Sequence, residues 1–168
     1  MRLNNMVKIV EHGLQHEQNV VDLILNIQQN EFGVPVTLKD QPDLLEVKEF
    51  YQQGNGNFWV AIENEKLIGT IALVDMKDGN VALRKMFVEA ASRGKEKGVA
   101  ALLLQKVFDW CHDRKIQNIY LGTVEVLKAS HRFYEKNGFV RVDVKNLPAS
   151  FPRMPVDTIF YQYSFVKQ

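Results

Sequence analysis

A glycine-containing basic loop leads directly into the longest predicted helix of the sequence. Residues 92–98 contain two glycines and three cations, and a helix is predicted over 99–114. The first amides of a helix have no partner inside it, and the helix dipole favours negative charge at that end. Gly94 and Gly98 would let the backbone approach a ligand closely. The segment therefore predicts a phosphate or pyrophosphate cradle, although an ordinary solvated basic turn would have the same composition.

This loop does not match either of two common nucleotide-binding motifs. No Gly-Lys-Ser or Gly-Lys-Thr stands at the spacing of a Walker loop. The sequence also lacks a Gly-x-Gly-x-x-Gly motif, and the strands predicted before the loop form a meander rather than the start of a βαβ unit.

Composition places the chain among ordinary globular proteins and excludes several classes. It has 168 residues, 46% apolar and 24% charged, with 21 basic against 20 acidic residues. This balance argues against nucleic-acid binding, and the longest apolar run, Val99–Leu104, is too short to span a membrane. With no signal peptide in view, we expect a cytoplasmic protein. The single cysteine, Cys111, excludes a disulfide framework and a multi-cysteine metal site, so no metal is expected; mid-helix, it is expected to be a buried small apolar residue.

The order of predicted elements indicates one mixed α/β (α+β) domain over residues 1–168. We expect a mostly antiparallel central sheet of about seven strands flanked by about four helices. Strands are predicted over 6–11, 57–63, 67–75, 81–88, 118–122, 139–144 and 157–166, and helices over 15–29, 40–53, 99–114 and 128–136. The strand containing residues 159–165 is expected at a sheet edge, which leaves open a homodimer through it.

Two segments resemble the GCN5-related N-acetyltransferase (GNAT) superfamily, whose members bind acetyl-coenzyme A. Residues 88–104 resemble its pyrophosphate-binding loop and helix. The stretch Phe133-Tyr-Glu-Lys-Asn-Gly-Phe139 resembles its aromatic-Tyr-Glu-Lys-x-Gly-Phe signature. Both occur in the family's order, and the order of elements from Met6 to Phe165 agrees as well.

The resemblance implies a set of coenzyme contacts. The strand before the loop would pair with the pantetheine arm, and the loop would hold the pyrophosphate. At the position of Leu127 the family often has an Asn that contacts the coenzyme. In this chain Ser130 or His131 would replace that contact. Two loop alignments remain open, and they differ in whether Arg93 or Lys95 caps the pyrophosphate. The implied contacts are Met86, Phe87, Val88, Arg93, Gly94, Lys95, Lys97, Gly98, Val99, Ala100, Ser130 and His131.

The same resemblance implies acetyl transfer from the co-substrate acetyl-CoA to an amine by direct attack on the thioester. Tyr134 would be the general acid that protonates the leaving thiolate, and a backbone N–H near Val88 would meet the oxyanion. Glu125 is the tentative general base. Glu31, Asp75, Glu89 and a chain of water molecules remain alternatives.

The acceptor is expected near residues 32–44 and 147–155, where the family varies. The expected partner is a small-molecule amine, with an apolar lining and with Arg153 available to an anionic group; the lining candidates are Phe32, Phe151, Pro152 and Met154. Two alternative functions stay open. One is an acyl-CoA sensor of the same fold without turnover, and the other is a phosphate-binding or interaction protein that does not bind CoA.

Overall fold

The computed structural model describes residues 6–94 and 97–166. Within them, seven strands form one sheet in the order β1-β2-β3-β4-β5-β7-β6. Neighbouring strands are antiparallel except β4 and β5, which are parallel. The strands are β1 (Lys8–Glu11), β2 (Asn57–Glu63), β3 (Lys66–Asp75), β4 (Asn80–Val88), β5 (Asn118–Thr123), β6 (Val140–Val142) and β7 (Ile159–Ser164). The expected mixed, mostly antiparallel sheet is confirmed.

Four α-helices cover the two faces of this sheet in the described part of the chain. They are α1 (Glu17–Leu25), α2 (Val47–Phe50), α3 (Val99–Asp113) and α4 (Lys128–Lys136). α1 runs on into a π-helical turn, Asn26–Glu31, in which the amide of Phe32 donates to the carbonyl of Ile27. None of the described helices combines the length and the apolar character that a membrane crossing would need.

Strand alternation divides the core into two layers. In β2, Trp59 and Ala61 face the layer that contains α3 and α4, whereas Phe58 and Val60 face α1 and α2. Because successive side chains of a strand point to opposite faces, a strand that is apolar throughout must be covered on both sides. Cys111 lies fully buried in the α3 layer, as expected, and burial raises the pKa of its thiol to about 12.

The helix predicted over residues 40–53 is wrong in extent. Short 3₁₀ turns occupy Leu38–Asp40 and Pro42–Leu45, and only α2 is α-helical. Gln41 lies between the two turns with φ −132° and ψ 57°, because the residue before a proline is disfavoured in the helical region. The fully buried side chain of Gln41 bonds to Gln28 and Lys85 instead.

The expected edge position of the last strand is also wrong. β7 inserts between β5 and β6 and is hydrogen-bonded on both sides. Its backbone is therefore already paired, and a dimer built on it as a free edge is excluded. β1 and β6 form the edges of the sheet.

Two adjacent leucines of α3 test the packing of this helix on the sheet. Leu103 is fully buried, whereas Leu102 is 43% exposed. We expect Leu103→Ala to lower the free energy of unfolding by about 3 kcal/mol, since it leaves a cavity in the core. Leu102→Ala is the matched control and should cost well under about 1 kcal/mol. Urea denaturation followed by circular dichroism measures both, and equal losses would contradict the packing described here.

Candidate active site

A cleft opens where the parallel strands β4 and β5 separate. Their pairing covers only Asn80–Ala82 of β4 with Asn118–Tyr120 of β5. Beyond these residues the strands diverge, and residues 83–87 and 121–124 line the cleft from its two sides. Backbone groups that would pair in a continuous sheet are thus available to a bound molecule.

A β-bulge in β4 contributes to this separation. Thr70 pairs with Phe87 and Ala72 pairs with Arg84, so that Lys85 and Met86 together oppose Ile71. Lys85 has φ 54°, in the left-handed region that side-chain-bearing residues seldom adopt. The Thr70 hydroxyl donates to the Lys85 carbonyl at 2.6 Å and holds the bulge. A bulge bends its strand and increases the local twist, which turns β4 away from β5.

The N-terminus of α3 lies beside the carboxyl end of β4. Gly69 in β3 allows this approach: a Cβ there would lie 3.1 Å from the Phe87 carbonyl oxygen, 3.1 Å from Leu103 and 3.4 Å from Val99. Gly98 takes a left-handed conformation with φ 59°, and its carbonyl accepts the amide of Leu102 as the first bond of the helix. The amides of residues 99–101 therefore have no partner within the helix.

The cations expected at this loop differ in their contacts. Arg93 forms a bidentate ion pair with Glu31, its Nη2 lying 2.7 Å from Oε1, and its Nε donates to the Val88 carbonyl at 2.9 Å. Lys97 pairs with Glu63 at 3.1 Å. Lys95 lies outside the described residues. In this structure Arg93 thus joins the loop to the end of the π-helical turn.

Tyr134 projects from α4 into the cleft, where it is part of the lining. Its ring packs among Phe133, Phe139 and Tyr161, while its hydroxyl makes no hydrogen bond to a described residue. Burial, with smaller contributions from Asp157 and Tyr161, raises the pKa of the phenol well above its usual value. The hydroxyl thus keeps its proton at neutral pH and is available as a donor.

Other predicted site residues divide between the cleft and its surroundings. The cleft is lined by three of the predicted coenzyme contacts, Met86, Phe87 and Ser130. It is also lined by the apolar residues expected near the acceptor, which are Phe32, Phe151, Pro152 and Met154. His131 is buried and does not line the cleft, because its Nε2–H donates to the Val124 carbonyl at 2.9 Å. Glu125 is exposed and outside the lining, so the structure does not bring the tentative base together with Tyr134.

Three charged residues of the cleft were missed by the sequence analysis: Arg84, Lys85 and Asp157. A signal for two of them was present, because Arg84-Lys85 interrupts the otherwise apolar strand 81–88. Asp157 had no local signal. Its carboxylate meets the cleft because Gly122 in β5 has no side chain: a Cβ at Gly122 would lie 2.6 Å from Asp157 Oδ2.

Lys85 extends from the bulge into a buried polar network. Its ammonium group donates to Gln41 and lies 3.7 Å from Asp43 Oδ2, and the Tyr51 hydroxyl donates to the same carboxylate. Burial lowers the pKa of Lys85 to about 8, and the neighbouring Asp43 opposes that shift. The lysine therefore remains mostly a cation at pH 7, held by partners behind the cleft wall.

Asp157 lies on the connection before β7 and forms no ion pair within 4.0 Å among the described residues. Burial raises the pKa of its carboxyl to about 6, and the cations Arg84, Lys85 and Arg153 oppose the shift. Its mutual influence with Tyr134 places the two groups in one electrostatic environment. At pH 7 this group is an ionised carboxylate that can take up a proton.

Comparison with known proteins identifies the protein family. Residues 21–139 match the profile of the Acetyltransferase (GNAT) family. This span is well over half of the chain, and the chain belongs to that family.

Solved structures and curated relatives agree with this placement. A GNAT-family acetyltransferase from Staphylococcus aureus Mu50 superposes with a TM-score of 0.91 at 36% identity, covering 95% of this chain and 99% of that one. N-acetylaspartate synthetase of Danio rerio is 32% identical over 128 residues, which is 73% of this chain but 44% of that protein. The chain thus spans less than half of the length of this relative. At 16% identity and a TM-score of 0.70, an N-acetyltransferase from Thermoplasma acidophilum, solved with coenzyme A, shares the fold over 95% of this chain and 99% of that one.

The environment of Asp157 predicts an unusual titration. We expect its carboxyl carbon to titrate with a pKa of about 6 when the protein is followed by ¹³C NMR across pH 4–8. Arg84→Gln should raise this pKa further, because Arg84 is the largest of the cationic influences that favour the ionised form. Arg153→Gln, the matched control, should raise it less. A wild-type pKa near that of a free aspartate would contradict the burial described here.

Proposed function

We propose that this protein is an acetyl-CoA-dependent N-acetyltransferase that transfers the acetyl group to a primary amine of a small-molecule acceptor, with residues 1–168 forming one acetyl-CoA-binding domain. The observation that carries the proposal is the closeness of two features along β4: an open helix N-terminus beside the end of this strand, and Tyr134 in the lining of the cleft where β4 and β5 separate.

The proposed coenzyme path follows the backbone rather than side chains. Amides at residues 99–101 and the left-handed Gly98 would hold the pyrophosphate. The separated edge of β4 at Met86 and Phe87 would pair with the extended, amide-rich pantetheine arm, as an added strand does. Acetyl-CoA supplies the activated thioester carbonyl. A backbone amide near Val88 is the proposed donor to the oxyanion.

Tyr134 is the proposed donor to the leaving sulfur. A thiolate leaves more readily when its charge is met by a proton donor. The raised pKa ensures that the donor is present, and it also makes Tyr134 a weaker acid than a free phenol. Tyr134 therefore stabilises the departing thiolate by a hydrogen bond that tightens as the carbon–sulfur bond breaks.

The relatives support a small acceptor. The name of the Danio rerio protein, N-acetylaspartate synthetase, describes formation of an acetylated amino acid. In this chain, the cleft is walled by the π-helical turn and by residues 151–157.

Two measurements on one sample test the proposal. Calorimetric titration with acetyl-CoA should show micromolar binding, and release of free thiol should follow when a library of primary amines is added. Binding without thiol release on any amine would favour an acyl-CoA sensor of the same fold. Absence of binding would exclude the proposed function.

Gly98→Asp tests the pyrophosphate cradle. The new carboxylate would stand against the diphosphate charge, and like charges at close range repel strongly. We expect acetyl-CoA affinity to fall by ~100-fold or more. Gly98→Asn is the matched control, because asparagine has nearly the same shape, tolerates the left-handed conformation and carries no charge. Calorimetry on both variants separates charge from bulk, and unchanged affinity in Gly98→Asp would contradict the cradle.

Tyr134→Phe tests the proton donor. The phenyl ring preserves the packing against Phe139 and Tyr161, and only the hydroxyl is lost. We expect kcat to fall by ~10²-fold, the usual contribution of a positioned acid, with acetyl-CoA affinity changed by less than about twofold. Stopped-flow thiol detection and calorimetry measure the two quantities. A kcat equal to that of the wild type would remove Tyr134 from the mechanism.

A further inference from the structure

The guanidinium of Arg84 lies in the cleft without a strong hydrogen-bond acceptor among the described residues. Its Nη2 contacts the Met154 sulfur at 2.9 Å, and its central carbon lies 5.6 Å from the centroid of the Phe50 ring. A thioether is a weak acceptor, whereas a guanidinium has five N–H donors in a planar fork that fits a carboxylate. No described carboxylate lies within 4.0 Å of it. The N–H donors of Arg84 are therefore available to an anion that binds in the cleft.

A carboxylate of the protein shares the same space. Asp157 also lines the cleft, and the charged groups that influence it are Arg84 and Lys85 of β4 and Arg153 of its own connection. Asp157 in turn raises the pKa of Tyr134 of α4. The cleft thus presents a guanidinium and a carboxylate that are not paired with each other. Opposite charges held apart in this way are complementary to a ligand that carries both signs.

We propose that the acceptor is an amine that also bears a carboxylate, such as an α-amino acid, with its carboxylate on the Arg84 guanidinium and its ammonium on the Asp157 carboxylate. This inference rests on the proposed acetyl transfer and names the acceptor class of that same site. Lys85 also lines the cleft, but its ammonium is already held by Gln41 and Asp43. Arg84 is therefore the lining cation that is available to the carboxylate of the acceptor.

In this arrangement Asp157 is also placed to act as the general base that deprotonates the acceptor. An ammonium group has no lone pair, so the acceptor must lose a proton before its nitrogen attacks the thioester carbon. Asp157 takes that proton, the carbon–nitrogen bond forms, and the carbon–sulfur bond breaks. The nitrogen loses a second proton as the amide forms. Of the two protons, one ends on the thiol of coenzyme A and the other passes from Asp157 to water, so that charge and atoms balance.

Matched acceptors test the carboxylate contact. The probes are single L-amino acids, the corresponding amino-acid amides and the amines that lack the carboxyl group altogether, each assayed by thiol release with saturating acetyl-CoA. We expect at least one amino acid to be a substrate whose kcat/KM exceeds that of its amide and its decarboxylated amine by on the order of 10- to 100-fold, the effect of losing a charge-assisted contact.

At pH 8.5 Asp157 should stay ionised even with the higher pKa expected in Arg84→Gln. Assayed there, Arg84→Gln should lose this preference, mainly by raising KM for the amino acid, and the change for the amide and the decarboxylated amine should be much smaller. The affinity for acetyl-CoA should stay unchanged. Arg114→Gln is the matched control, because it removes the same charge from a guanidinium that lies over the Trp110 ring, outside the cleft lining. It should change kcat/KM by less than about threefold.

Asp157→Asn tests the proton acceptor. We expect kcat on the amino acid to fall by ~10²-fold, and the acidic limb of the wild-type kcat/KM profile, with its midpoint near pH 6, to disappear. Since the carboxyl must be ionised to take a proton, activity rises with pH through that midpoint. A variant that loses activity only through altered folding would retain the limb at reduced amplitude.

The outcomes separate this inference from the proposed function. Turnover confined to amines without a carboxylate, or failure of every amino acid to bind to the enzyme–CoA complex in calorimetry, would overturn the acceptor class while acetyl transfer still stands. An Arg84→Gln variant that keeps the wild-type preference would overturn the role of Arg84. Absence of acetyl-CoA binding by the wild type would instead defeat the proposed function itself.

Discussion

The short parallel pairing of β4 with β5 governs the geometry of the site. Only three residues of each strand pair, and the bulge at Lys85 and Met86 turns β4 away immediately afterwards. A fully paired sheet would have satisfied these backbone groups internally and closed the cleft. The fold instead leaves two diverging strand ends, and the cleft between them is where Arg84, Tyr134 and Asp157 come together.

The bulge in turn depends on the buried network behind it. Lys85 takes a left-handed backbone conformation and carries its charge inward, and both features cost free energy unless the surroundings compensate. Gln41 and Asp43 provide that compensation, with Tyr51 bonded to Asp43. Gln41 and Asp43 both come from the irregular turns of residues 38–45, which bring these two side chains to the lysine.

Two kinds of binding group lie along the proposed site, which comprises the N-terminus of α3 and the cleft. Toward the N-terminus of α3 the available groups are backbone amides, which suit a diphosphate irrespective of side-chain type. Toward residues 151–157 the groups are the charged side chains Arg84 and Asp157, which can distinguish one acceptor from another. The ion pair between Arg93 and Glu31 connects the loop of the first region to the π-helical turn that borders the second.

Local patterns in the sequence were sufficient for the elements and for part of the site. Apolar periodicity and the glycine loop at 92–98 predicted β2 to β4, α3 and α4, because propensity, capping and alternation act over a few residues. The resemblance of the stretch 133–139 to the family signature pointed to Tyr134, which lines the cleft. Which strands become neighbours and which charges meet depends on contacts between distant residues. Only the tertiary structure moved β7 off the edge and brought Asp157 rather than Glu125 to the cleft. Asp157 reaches the cleft because Gly122, 35 residues earlier in the chain, leaves space for its carboxylate, and no local sequence pattern encodes that approach.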